Sequence, residues 1–225
     1  MPAIRLTSDL SRSVERPAPI IRVAALSGIA GPLLFTLTFV AQEAFRRAEY
    51  DPIAEPVSAL EAGPHGWVQQ ANFAVFGLLM CTFALGLDRG LARSRLGRLG
   101  PGLLGVASVG LFLAAALPLR EDATGVTYDP GGHFLAGITF FLSTSLAMVV
   151  LSRRLSKDSE FHMLATYTAI CGVLALFGFV VMVRLVMPDG APLHAFAGLI
   201  QRVIILLLTF PCLVALAVRL RTKHK

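Results

Sequence analysis

Three histidines follow proline-containing turns at widely separated places in the chain. They are His65 in Gly63-Pro64-His65-Gly66, His133 in Asp129-Pro130-Gly131-Gly132-His133, and His194 in Ala191-Pro192-Leu193-His194. Three imidazoles, or two with a carboxylate, are the ligand set of a zinc ion that keeps one position open for water. Asp129, four residues before His133, and Glu61, four before His65, could each supply an oxygen or a general base. No HExxH or paired HxxxH stretch occurs, so such a centre depends on the fold bringing distant residues together.

Further polar residues recur at helical spacing behind these histidines. His65, Gln69 and Asn72 share one face at steps of about four and seven residues, as do His194 and Gln201, with Arg202 beside them. His133, Gly137 and Phe140 form the third face, with Thr144 one turn further in. Arg202 stands ~12 Å below His194 along a helix axis, and Asn72 ~10 Å below His65. An arginine at that depth in a bilayer costs at least ~2.5 kcal/mol and normally faces the interior of a bundle or a wet cavity. Asn72, Gln69, Gln201 and Arg202 are therefore expected to meet at one depth. Glu43 near the end of span one and Arg184 near the end of span five are expected to join them, and a carboxylate such as Glu43 is the natural partner for an arginine.

The elements that must position these residues follow from composition. The chain has 225 residues, 55% of them hydrophobic and only 15% charged, with a mean hydropathy of +0.70. A soluble domain carries about a quarter of its residues charged. Six stretches, about 21–41, 67–87, 99–117, 134–151, 164–186 and 195–218, are long and apolar enough to cross ~30 Å of hydrocarbon as helices. The expected fold is all-α: an integral membrane bundle of six transmembrane helices, three hairpins in a rough internal repeat. Residues 1–20 read as a disordered basic cytoplasmic arm, 21–219 as the transmembrane domain and 220–225 as a basic cytoplasmic tail.

Orientation comes from the loops. Arg89, Arg93, Arg95 and Arg98, then Arg153, Arg154 and Lys157, then Arg219, Arg221, Lys223 and Lys225 all fall on the side of the basic leader. The opposite loops hold most of the acids. Basic residues concentrate on the cytoplasmic side of membrane proteins, so both termini are expected there, in the plasma membrane. The net charge of +6 is thereby a topology signal, and no patch is large enough to follow a nucleic-acid backbone. A cleaved signal peptide fits poorly, because the leader is long and carries Asp9 and Glu15, and the apolar run behind it is interrupted.

Several chemistries lack support. Cys81, Cys171 and Cys212 are widely spaced and lie inside apolar spans, which fits ordinary packed thiols. A pair of facing histidines for haem would have no counterpart on the cytoplasmic side. No nucleotide-binding loop or nucleophile elbow occurs. His162 and His224 lie toward the cytoplasmic side and carry no site.

The runs Pro56-Val57-Ser58-Ala59-Leu60 and Gly63-Pro64-His65-Gly66-Trp67-Val68-Gln69-Gln70-Ala71-Asn72-Phe73 resemble the second-helix motif of the domain of unknown function 998 family. The stretch from Asp129 to Gly137 and the run Ala197-Gly198-Leu199-Ile200-Gln201-Arg202 look similar to the same family. The resemblance covers about residues 22–220. It implies a bacterial or archaeal multi-pass membrane protein with a polar cluster near the outer leaflet, and it supplies no reaction.

The leading expectation is a plasma-membrane protein with a polar pocket open to the outer side. His65, Gln69, Asn72, His133, His194, Gln201 and Arg202 would line it, and it would take a lipid headgroup or a small anionic ligand attracted by Arg202. One rival is a hydrolase or transferase acting on lipid through zinc or another divalent metal held by His65, His133, His194 and Asp129. A second is a transporter, although the inner halves of the spans are strongly apolar. A third is an assembly partner for another membrane protein. In the purely structural alternative, the amides and Arg202 hold helices together and the histidines face interfacial water.

Overall fold

The computed structural model describes residues 19–92, 97–188 and 190–223. Apolar length alone requires helix, since a lipid-exposed backbone must satisfy its own hydrogen bonds. Six helices satisfy that requirement: α1 (Pro19–Arg46), α2 (Gly66–Gly90), α3 (Leu99–Ala116), α4 (His133–Leu155), α5 (His162–Val186) and α6 (His194–Lys223). All six expected spans form, and most outrun their apolar stretches. In particular α1 continues past Ala41 to Arg46, so Glu43 is helical. Of the expected arm, Pro19 and Ile20 already belong to α1 and residues 1–18 lie outside the described residues. The expected tail is helical as far as Lys223. Arg93, Arg95, Asp189, His224 and Lys225 also lie outside the described residues.

Each helix packs against the next, and α6 returns to α1 to close a ring. Phenylalanine fills the centre. The ring of Phe35 on α1 lies 5.4 Å from Phe73, 5.1 Å from Phe76 and 5.9 Å from Phe210. Tilted and edge-on pairs of this kind add about 0.5–1.5 kcal/mol each beyond the area they bury. Glycine sets two of the closest approaches. A side chain at Gly110 would meet the Phe140 backbone nitrogen at 2.7 Å, which brings α3 against α4. One at Gly172 would meet the Val149 nitrogen at 2.8 Å, which brings α4 against α5.

Two helices carry wide π turns, at Met182–Val186 in α5 and Val203–Thr209 in α6. Pro211 follows the second. It has no N–H to donate, and its ring crowds the carbonyl four residues back, so a widened turn relieves the conflict. The Thr209 hydroxyl donates to the Ile204 carbonyl at 2.9 Å inside that turn. The all-helical expectation holds apart from a two-residue antiparallel ribbon, β1 (Arg120–Glu121) with β2 (Thr127–Tyr128), in the α3–α4 loop.

The end of the bundle that bears the first and last described residues is closed by one buried guanidinium. Arg154 on α4 donates Nε to the Ala92 carbonyl at 2.9 Å, Nη1 to Gly97 at 2.5 Å, and Nη2 to Leu91 at 2.9 Å and Asp88 at 3.1 Å. Asp158 completes the clamp by accepting from the Ala92 N–H at 2.9 Å and from Lys223 Nζ at 3.0 Å. Sequence reading treats Arg154 as one more topological charge. Its hydrogen bonds hold the end of α2 and the α2–α3 loop against α4, and the Asp158–Lys223 pair ties in α6.

Candidate functional site

At the opposite, distal end, the α1–α2 loop folds down onto α6. The first N–H groups of a helix lack internal acceptors. The Leu199 N–H finds one in the Ile53 carbonyl at 2.9 Å, and Gly198 lets the Pro52 and Glu55 carbonyls approach where any side chain would collide. Arg202 then meets the descending loop. Its Nη2 lies 2.5 Å from Glu43 Oε1 and 2.7 Å from the Tyr50 hydroxyl, and its Nη1 donates to the Glu55 carbonyl at 3.0 Å. The guanidinium carbon also sits 5.9 Å from the Phe39 ring centre and 5.7 Å from that of Tyr50. The expected Glu43 partner is therefore found. Tyr50, absent from the sequence reading, is the hub. Its hydroxyl reaches the Glu55 and Pro56 carbonyls at 2.9 Å each. Burial pushes its phenol up to about 12 against the opposing pull of Arg202, so it stays a neutral donor.

Gln201 accepts from the Val57 N–H at 2.6 Å. Gln69 and Asn72 form a separate group on α2. Asn72 Nδ2 donates to the Phe35 carbonyl and to Gln69 Oε1, both at 3.1 Å. Gln69 is fully buried, and its Nε2 has no partner among the described residues. The four polar residues expected to meet at one depth thus divide between α6 with its loop and the α1–α2 contact.

The three histidines also part company. His133 is buried, with Nδ1 3.1 Å from Glu61 Oε2 and 3.0 Å from the Leu117 carbonyl. Burial pushes the Glu61 carboxyl above its usual range, while the His133 hydrogen bond draws it back. His65 is exposed and left-handed, with φ of 61°, the one positive φ outside glycine among the described residues. His194 is exposed in a tight 3₁₀ turn, its Nδ1 2.9 Å from the Val186 carbonyl at the end of α5. The three proline–histidine passages thus resemble each other in sequence without sharing one conformation. Asp129 caps α4. Its Oδ1 accepts from the Gly131 and His133 N–H groups at 2.8 and 3.3 Å, and its Oδ2 from Phe134 at 2.9 Å. Burial opposes its ionisation, but those three donors outweigh it and the pKa falls. Among the described residues, no three His, Cys, Asp or Glu side chains are grouped as a metal ion would need. The expected convergence of His65, His133, His194 and Asp129 is corrected accordingly: His133 faces Glu61 and the Leu117 carbonyl, His194 the Val186 carbonyl, and Asp129 the first N–H groups of α4, while His65 is exposed. Arg184 is exposed.

What the sequence reading missed is an apolar cavity of about 120 Å³ inside the distal half of the bundle. Phe35, Phe73, Phe76, Phe140 and Phe210 form its inner wall, and His133, Ser58 and Gln201 are its polar members at the distal rim. Its partly exposed wall includes Phe134, Ile138 and Phe141 on α4 and Phe179 and Val183 on α5. Part of the wall thus lies along the α4–α5 seam, where Phe141 and Phe179 stack at 6.4 Å and 16°. Met182, Val183 and Ile205 from the two π turns contribute to the lining. The density of phenylalanine in 35–39, 73–76, 134–141 and 210 was the available sequence signal.

Six apolar helices packed in a ring around this core define a multi-pass helical membrane protein. The family described as protein of unknown function, DUF998, matches residues 29–219, and the chain belongs to that family. No curated protein and no solved structure matches it.

Proposed function

We propose that this protein binds an amphiphile at the side of the membrane that the loop charges assign to the exterior. The apolar end enters the phenylalanine-lined cavity, and the polar head rests at His133, Ser58 and Gln201. The observation that supports this reading is the distribution of polarity around the cavity: polar groups at the distal rim, aromatic rings below. From His133 to Phe140 the wall descends seven residues, ~10 Å. The volume approaches that of the ~150 Å³ apolar cavities that take a benzene-sized group. It suits the end of one chain. The two π turns add support, since such turns recur at functional sites.

Arg202 plays a different part from the anion receptor expected of it. Neutralised by Glu43, it braces the loop that carries Pro56, Val57 and Ser58 to the rim. Gln201 fixes the same loop through the Val57 N–H and still faces the cavity. Gln69, Asn72 and His194 hold the surrounding frame. No metal enters this reading.

The test uses a lysophospholipid with a diazirine at the end of its acyl chain, added to the full chain in vesicles. Photolysis and peptide mapping locate the label. Labelling at Phe141, Phe179 or Val183 that falls at least fivefold in Gly137→Phe supports the reading, because a side chain at Gly137 has open space to fill. Label found only on outward residues such as Leu33 and Val173, or unchanged in Gly137→Phe, overturns it.

A further inference from the structure

The α1–α2 loop contains a short 3₁₀ helix, Val57–Glu61. Residues three apart in such a helix eclipse one another, so Ser58 and Glu61 share a face about 6 Å apart. Ser58 is half-buried and lines the phenylalanine cavity, as does His133. The Glu61 side chain is fully buried, and its Oε2 lies 3.1 Å from His133 Nδ1. One turn thus presents a hydroxyl to the cavity and a carboxylate to the imidazole at its rim.

The partners of His133 assign its proton. Nδ1 also lies 3.0 Å from the Leu117 carbonyl, which can only accept. Nδ1 therefore carries the hydrogen, and in the neutral ring the lone pair is on Nε2. Among the described residues Nε2 has no hydrogen-bond partner, and it is not sealed inside the protein. The same is true of the Ser58 hydroxyl and of Gln201 Nε2. Gln201 is fixed by its other amide atom, since Oε1 accepts from the Val57 N–H at 2.6 Å. Val57 precedes Ser58, so the free amide donor belongs to the serine's own turn.

We propose that this rim cleaves acyl esters, with Ser58 as nucleophile, His133 as general base and acid, Glu61 positioning His133, and Gln201 donating to the carbonyl oxygen. The proposal rests on the amphiphile-binding reading above and makes that amphiphile an ester whose acyl chain lies among the phenylalanines. A serine hydroxyl needs an adjacent base to become an effective nucleophile. As Ser58 Oγ attacks the ester carbonyl carbon, its proton passes to His133 Nε2. The bond from that carbon to the alcohol oxygen breaks, and His133 gives the proton to the departing alcohol. Gln201 Nε2 donates to the oxygen that becomes negative. Water then attacks the acyl-serine ester and yields a proton to His133, which returns it to Ser58 as the carboxylic acid leaves. Among the described residues no hydrogen bond joins Ser58 to His133, and such contacts often tighten only with substrate bound. No nucleophile elbow marks Ser58 because a 3₁₀ turn presents it, in place of a strand–helix junction.

The experiment treats the full chain in vesicles with an alkyl fluorophosphonate, which labels activated serines, and maps the labelled peptide. The label is expected on Ser58. His133→Gln should slow it at least about 100-fold, the usual scale for loss of a general base. Ser58→Ala removes a hydroxyl without a partner among the described residues, so this variant should fold normally yet lose both the label and hydrolysis of p-nitrophenyl octanoate. Glu61→Gln should lower kcat for that ester without raising KM, a split that general loosening of the fold would not give. Absence of label on Ser58 in the wild-type chain overturns the inference, as does hydrolysis that survives in Ser58→Ala. Photolabelling of the cavity wall without fluorophosphonate labelling would remove this inference and leave the binding reading standing. Absence of both would remove both.

Discussion

Glu43 and Arg202 are 159 positions apart in sequence and 2.5 Å apart in space. Their contact joins α1 to α6 and closes the ring of helices. Both side chains are largely buried, so the worth of the pair depends on how it is broken. Losing one partner strands a charge and costs about 3–5 kcal/mol, whereas replacing both with apolar groups of like volume is often near neutral. Arg202→Met and Glu43→Met are each expected to lose about 3 kcal/mol, and the double variant Glu43→Met/Arg202→Met clearly less than the sum. Denaturant unfolding of the purified protein gives the coupling directly. Additive losses would show that the pair is not an energetic unit.

Gly198 should be intolerant of even one methyl group. A Cβ there would stand 2.5 Å from the Pro52 carbonyl oxygen and closer still to that of Glu55. Both are backbone atoms of the seated loop. Gly198→Ala is expected to cost about 1–3 kcal/mol, the usual penalty for overpacking. Thermal unfolding should show a lowered midpoint, and protease cleavage should rise within residues 47–62.

Arg154 serves four carbonyl groups with one planar fork. A lysine ammonium cannot reproduce that arrangement. Arg154→Lys should therefore lose nearly as much stability as Arg154→Met, at least about 2 kcal/mol in each case. Full rescue by lysine would mean that charge alone matters at this end of the bundle.

Asp158 gives a pH signature with a defined sign. Burial opposes its ionisation, but the Ala92 N–H, Lys223 and the Glu160 N–H outweigh it, so its folded pKa lies below the usual carboxylate value. Its contribution is present above the unfolded pKa of about 3.9 and declines as pH falls toward the folded value. Asp158→Asn should be less stable than wild type at pH 7, with the gap narrowing below about pH 4. A gap independent of pH would assign the loss to geometry alone.

The Glu43–Arg202 pair was legible in the sequence because a buried arginine requires a carboxylate and few stand at the right depth. The Asp129 cap was not: an acid four residues before a histidine reads equally as a metal ligand and as a helix cap. Which one it is depends on where the Gly131, His133 and Phe134 N–H groups point. Tyr50 was invisible for a similar reason, since nothing local marks a loop tyrosine as the partner of a residue 152 positions away.

Membrane insertion and six spans follow from the sequence by itself, because apolar length and the need for internal backbone hydrogen bonds require a helix for each apolar stretch, whereas most helices run past the ends of their apolar stretches. The tertiary structure decided everything that depends on helix rotation and loop descent. It separated His65, His133 and His194 among different partners, turned Arg202 toward Glu43 and Tyr50, and left a phenylalanine-lined space between α4 and α5. Residues spaced four and seven apart share a helix face, but the spacing does not say which way that face turns. That choice is made by close packing at glycines such as Gly110 and Gly172, and by whichever backbone groups remain to be satisfied.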